Sequence, residues 1–163
     1  MDRVDGIVEQ WRIERPDLEV ATIGLFGRMA RLDFHVRRAL ESSLAAHGLN
    51  LSGFDVLATL RRAGSPYALS PGEIMDSTMI SSGAVTNRID QLEKSGLVAR
   101  ETNPRDRRGT VVSLTPSGLA KVEAALQAYV RTQARLVAVL EEGELRAFDG
   151  LLRKLLDTFD GPY

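Results

Sequence analysis

Three arginines crowd one short run of this chain, Asn103-Pro104-Arg105-Asp106-Arg107-Arg108-Gly109. Guanidinium groups are planar, permanently charged and fork-shaped, so they suit phosphate oxygens and the narrow, negative minor groove of a duplex. A loop carrying Arg105, Arg107 and Arg108 has little to offer a protein core. Asp106 can pair with one of them and stiffen the loop, leaving another for a ligand. The plainer alternative is a solvated charged turn, and the segment that precedes the run argues against it.

Leu97–Thr102 and Thr110–Leu114, on either side, are alternating β-branched stretches that a short hairpin would pair. Upstream, Ser70-Pro71-Gly72-Glu73 has the form of a capping box with proline at the first helical position. The helix it opens is short, because Ser77-Thr78-Met79 is poor helix material. A second helix starts near Ser81 and stops at Lys94-Ser95-Gly96. On a wheel, Ile89 and Leu92 fall within about 40° of Val85 and form the buried side. Gly83, Thr86, Asn87, Asp90 and Lys94 occupy the opposite half. That face suits close approach to base edges and phosphates, and Ser81 and Ser82 stand at the positive end of the helix, where a phosphate can be held. The order helix, turn, helix, hairpin is that of a winged helix-turn-helix.

Composition limits the other possibilities. The 163 residues, 44% hydrophobic and 26% charged, are enough for one well-packed core. With no cysteine, disulfides, thiolate metal sites and thiol redox sensing are excluded. His35 and His47 are far apart in sequence without a carboxylate cluster, so neither a zinc set nor a nucleophile triad can be assembled, and Gly24 and Gly27 are too sparse for a phosphate loop. No enzyme activity, cofactor or metal is therefore expected. No apolar run reaches membrane-spanning length, and Asp2, Asp5 and Glu9 do not fit a signal peptide, which makes the cytoplasm the expected location. The net charge of −1 is unevenly spread: residues 88–108 sum to +2, whereas residues 1–20 and 141–163 each sum to −3. A local positive field with acidic ends favours a site-selective binder of double-stranded DNA over one that coats nucleic acid.

Long amphipathic helices flank the module. One runs from about Val20 to His47 and ends at Gly48; another, capped by Ser52, closes at Gly64-Ser65-Pro66. After the hairpin, Thr115-Pro116 opens a long helix that Gly143 interrupts, and a last helix carries Leu145, Phe148, Leu151, Leu152, Leu155, Leu156 and Phe159. These terminal stripes exceed what one compact module needs to cover, so two copies are expected to interlock through them as a homodimer. A dyad also lets two recognition helices read a palindrome one turn apart. The expected fold is mainly α: a winged helix-turn-helix with a two-stranded wing and long N- and C-terminal dimerisation helices. Three parts are expected: residues 1–48 (extension and first dimerisation helix), 49–115 (DNA-binding domain) and 116–163 (C-terminal dimerisation helices). A winged-helix protein-interaction module without sequence-specific DNA binding is the alternative.

Met79 to Val98 resembles the recognition helix of MarR-type regulators, and Asn103 to Arg108 followed by Val112 to Gly118 resembles their wing and the helix after it. Many members have Asp where this chain has Asn103. The resemblance, in element order, covers residues 20–160. It implies a triangular homodimer on operator DNA, released when a small aromatic or phenolic anion binds between the dimerisation and DNA-binding parts. A narrower similarity, to a urate-responsive branch, implies an effector site made of Trp11, Asp55, Arg88 and Arg100. The wheel agrees in part, placing Arg88 about 60° from the buried centre, on the protein-facing flank. A guanidinium there needs a partner, and Asp55 is a candidate. Plainer roles stay open: Asp55 completing a helix cap or pairing with Arg100, Arg88 on a phosphate, Trp11 anchoring the extension.

Overall fold

The computed structural model describes residues 2–78, 82–103 and 109–160, with only the backbone of 82–84 and 160. Seven helices and three short strands are seen among them.

Helix α1 (Arg3–Glu14) starts at a capping box: the Asp2 carboxylate accepts from the amides of Val4 (2.7 Å) and Asp5 (3.0 Å), and Asp5 accepts from the Asp2 amide (2.6 Å). It lies on α2 (Ala21–Ala45) through a small cluster of Val4, Val8 and Val20. Gly24 and Gly27 make this approach possible. A Cβ on Gly24 would stand 3.1 Å from a Val8 methyl, and one on Gly27 3.2 Å from a Val4 methyl. Arg28 ties the two helices by reaching both Asp2 (Nε to Oδ2, 2.9 Å) and Asp5. α2 ends before Gly48, whose φ of 67° is the left-handed conformation that glycine adopts freely.

Helix α3 (Leu51–Arg62) is the central beam, with Val56, Leu57 and Leu60 wholly buried. Its cap is Asn50, not the expected Ser52: Asn50 Oδ1 accepts from the Gly53 amide at 2.8 Å, and the Ser52 hydroxyl donates to the same oxygen. Asn50 holds the extended backbone a cap requires, and Ser52 already lies inside the first turn. Strand β1 (Ala68–Leu69) precedes α4 (Pro71–Ser77), where Ser70 and Glu73 form the expected capping box. Next come α5 (Ser82–Lys94), β2 (Val98–Thr102) and β3 (Thr110–Leu114). The wing hairpin pairs Val98 with Leu114 through Thr102 with Thr110, and β1 adds to the other edge of β3, giving the order β1-β3-β2.

Thr115 caps α6 (Pro116–Val137), accepting from the Gly118 amide at 3.0 Å. The break after α6 falls at residues 138–141, so Gly143 does not interrupt the helix but lies in the first turn of α7 (Glu142–Asp160). Glycine there is a modest cost that the helix tolerates. One core joins α3, α4, α5, the sheet and α6 with the end of α2. α7 stands apart: Phe148, Leu151, Leu155, Leu156 and Phe159 are exposed, as are Leu25, Phe26, Leu32 and Phe34 of α2. No helix of the described residues is long and apolar enough to cross a membrane.

Candidate nucleic-acid interface and anion-binding residues

The body turns one edge of α5 outward. Val85 and Ile89 are 1% exposed and Leu92 is 5%, which fixes that side to the core. Thr86 and Asn87 are exposed on the far side, and Ser82 and Gly83 belong to the first turn. Ser81, Arg105, Arg107 and Arg108 lie outside the described residues. The frame around the arginine run is described: the Asn103 amide donates to the Gly109 carbonyl at 2.8 Å, closing the hairpin just beyond Thr102 and Thr110.

Two arginines whose roles sequence reading missed position this module. Arg62, at the end of α3, donates to the Ser77 carbonyl and pins the last turn of α4. Arg61 pairs with Glu123 of α6 and lies over the Tyr67 ring, 5.1 Å from its centroid. Basic residues in the last turn of a helix are a general sequence signal for such roles, although their partners are not.

The four residues of the expected anion set fall on four elements. Trp11 is on α1, 45% exposed. Asp55 is half-buried on α3, close enough to Tyr129 of α6 that its charge adds to burial in raising the phenol above its ordinary value. Tyr129 stacks on Phe54, with ring centroids 4.6 Å apart. Arg88 is half-buried on the flank of α5 that faces α3; its Cδ lies 3.6 Å from where a Gly53 Cβ would stand. Its Nη1 donates to Gln91 Oε1 at 2.7 Å, while its Nε is buried with no partner among the described residues. A buried donor without an acceptor is costly and signals a site that a ligand or water can complete. Arg100, on β2, bridges Asp90 and Glu93 of α5, which hold its proton more tightly than usual. Two open hollows of about 440 and 540 Å³ follow the α2–α6 seam around His47, and none of the four residues lines them.

Residues 47–109, from the end of α2 through the arginine run, match the profile described as MarR family. Over 156 residues, covering 94% of both chains, the sequence is 37% identical to the HTH-type transcriptional regulator PecS of Dickeya dadantii. The chain belongs to the MarR family. Among solved structures, a mutant of E. coli MarR complexed with operator DNA has a TM-score of 0.73 at 28% identity, over 85% of this chain and 99% of that one. Bordetella bronchiseptica BpsR, described with regulation of its DNA binding by 6-hydroxynicotinic acid, has a TM-score of 0.71 at 28% identity, over 82% and 98%. The fold is thus the winged-helix fold of MarR regulators, and the chain is a transcriptional regulator of that family. The relatives are regulators, which leaves the interaction-module alternative without support.

Proposed function

We propose that this MarR-family member is a homodimeric repressor that grips a palindromic operator and lets go when a small aromatic anion binds. Ser81, Ser82, Gly83, Thr86 and Asn87 would serve the major groove and Arg105, Arg107 and Arg108 the minor groove. The observation that carries the reading is the outward edge of α5, with Thr86 and Asn87 exposed over a buried spine, beside a hairpin in the fold E. coli MarR shows on DNA. The exposed apolar stripes of α2 and α7 support a second copy covering them.

The effector we favour is urate, with phenolic acids as the wider class, taken by Trp11, Asp55, Arg88 and Arg100. Support comes from the orphan Nε of Arg88 on the recognition helix, which an anion could satisfy while pulling on that helix directly. Arg100 already holds two carboxylates, so an anion must compete for it. The reading is regulatory, with no catalytic role assigned to any residue.

Selection of a preferred duplex from a random pool tests the first part: an inverted repeat is expected, and indifference to every duplex would end the reading. Titration with urate, xanthine and salicylate while following Trp11 fluorescence tests the second. Saturable change accompanied by operator release is expected, and no change with any of the three removes the effector proposal.

A further inference from the structure

α5 is restrained on three sides. Its spine of Val85, Ile89 and Leu92 is buried in the core. On one flank the stem of Arg88 lies over Gly53 of α3. On the other, Asp90 and Glu93, one turn apart, both accept from Arg100 of β2. At 100° per residue Arg88 and Glu93 fall about 60° and 80° to opposite sides of Val85, so the two ties resist roll in opposite senses. The strand pleat explains how Arg100 gets there. It shares a face with Val98 two residues earlier and with Val112, its partner in register, both of which are buried.

We infer that Arg100 is a positioning residue for DNA binding: it fixes the roll of α5 against the wing root, so that the exposed edge of the helix and the hairpin beyond Thr102 meet one duplex in a set register. The side chains of Arg100, Asp90 and Glu93 are 31%, 44% and 38% exposed. Ion pairs so open to water contribute little to overall stability. Their effect is geometric, because they link the two elements that must reach different grooves at once. Asp90 also lies about 140° from Val85, in the arc that holds Thr86 and Asn87. Arg100 therefore holds that carboxylate sideways, away from the approaching phosphates. This inference rests on the DNA-binding reading, and its test is run without effector, so that no anion competes with Asp90 and Glu93 for Arg100.

The test uses the full chain on the duplex selected above, with wild-type binding as the reference; a wild type that binds no duplex overturns both readings. Arg100→Met is compared with the triple variant Asp90→Asn, Glu93→Gln, Arg100→Met, which removes the tie but leaves no unbalanced carboxylate. Both are expected to lose roughly tenfold in affinity. In footprints, minor-groove protection at the flanks should fade while major-groove protection at the half-sites persists. Arg100→Lys, able to hold one carboxylate, should be intermediate. Wild-type affinity in Arg100→Met overturns the inference. So does full recovery in the triple variant, which would make Arg100 a mere charge mask. Parallel loss of both protections with a lowered unfolding midpoint would make it a structural prop and equally overturns it.

Discussion

A methyl group on Gly118 would overlap the carbonyl oxygen of Leu97 and stand 2.9 Å from its carbonyl carbon. The same oxygen accepts from the Thr115 amide at 3.1 Å, and the Thr115 hydroxyl donates to the Gly96 carbonyl at 2.7 Å. The first turn of α6 thus sits against the backbone that leads from α5 into β2. Replacing Gly118 with alanine improves helix propensity by about 1 kcal/mol, yet it forces two backbones apart. Gly118→Ala is expected to destabilise by about 2–3 kcal/mol, read as a lowered urea midpoint. An unchanged or raised midpoint would mean the joint can open without cost.

The wing arginines should appear in the salt dependence. Phosphate contacts release counterions, so affinity must fall steeply as salt rises. Arg105→Ala, Arg107→Ala or Arg108→Ala should each weaken binding, and at least one should flatten the logarithmic slope by about one unit. Three variants with the parental slope would take the hairpin off the DNA.

Arg88 offers a sharper separation of stability from response. Its Nε is buried without an acceptor among the described residues, so Arg88→Met removes an unsatisfied donor along with the charge. Its unfolding midpoint should match or exceed that of the parent, while the urate-induced change in Trp11 fluorescence disappears. A variant that responds like the parent would exclude Arg88 from the effector site.

The docking of α1 should be acid-sensitive. The Asp2 carboxyl lies below its ordinary value of 3.8, held there first by the Asp5 amide and then by Arg28. A depressed folded-state value means the contribution is complete above about pH 3.8 and is lost as pH falls below it. Trp11 on α1 should report a change in that acid range, and Arg28→Gln should move the change to higher pH. Fluorescence with the same pH profile in both proteins would sever the link between Arg28 and α1.

The α7 stripe should be tested by charge. Leu151 and Leu155, one turn apart, are exposed in the single chain. Leu151→Glu with Leu155→Glu should yield a monomer by sedimentation, with operator binding reduced by orders of magnitude because a lone module reads half a site. A double variant that remains dimeric would place the interface elsewhere.

Features local to one segment were legible in the sequence. The Ser70–Glu73 box, the left-handed Gly48, Gly64 and Gly96, and the buried side of α5 follow from neighbours a few residues away. What escaped depends on distant partners. β1 has only two residues, too few for any periodicity, and forms because β3 presents an edge to Ala68 and Leu69. Ser52 was the expected cap of α3, but the extended backbone that a cap requires falls at Asn50, and residue type alone does not locate it. The site divides in the same way. The protein-facing flank of Arg88 could be read from a wheel, whereas the hold of Arg100 on Asp90 and Glu93 follows from the register of β2 beside α5. Gly24 and Gly27 were read only as too sparse for a phosphate loop, because nothing local names α1 as their neighbour.

The bareness of α7 makes concentration a structural variable. In the proposed homodimer, a helix whose apolar side meets mostly water in its own subunit draws its free energy from mass action, so folding and pairing become one equilibrium. Melting temperature should then climb with protein concentration. In a cell holding few copies, the fraction of intact reader would follow the rate of synthesis as well as the level of effector.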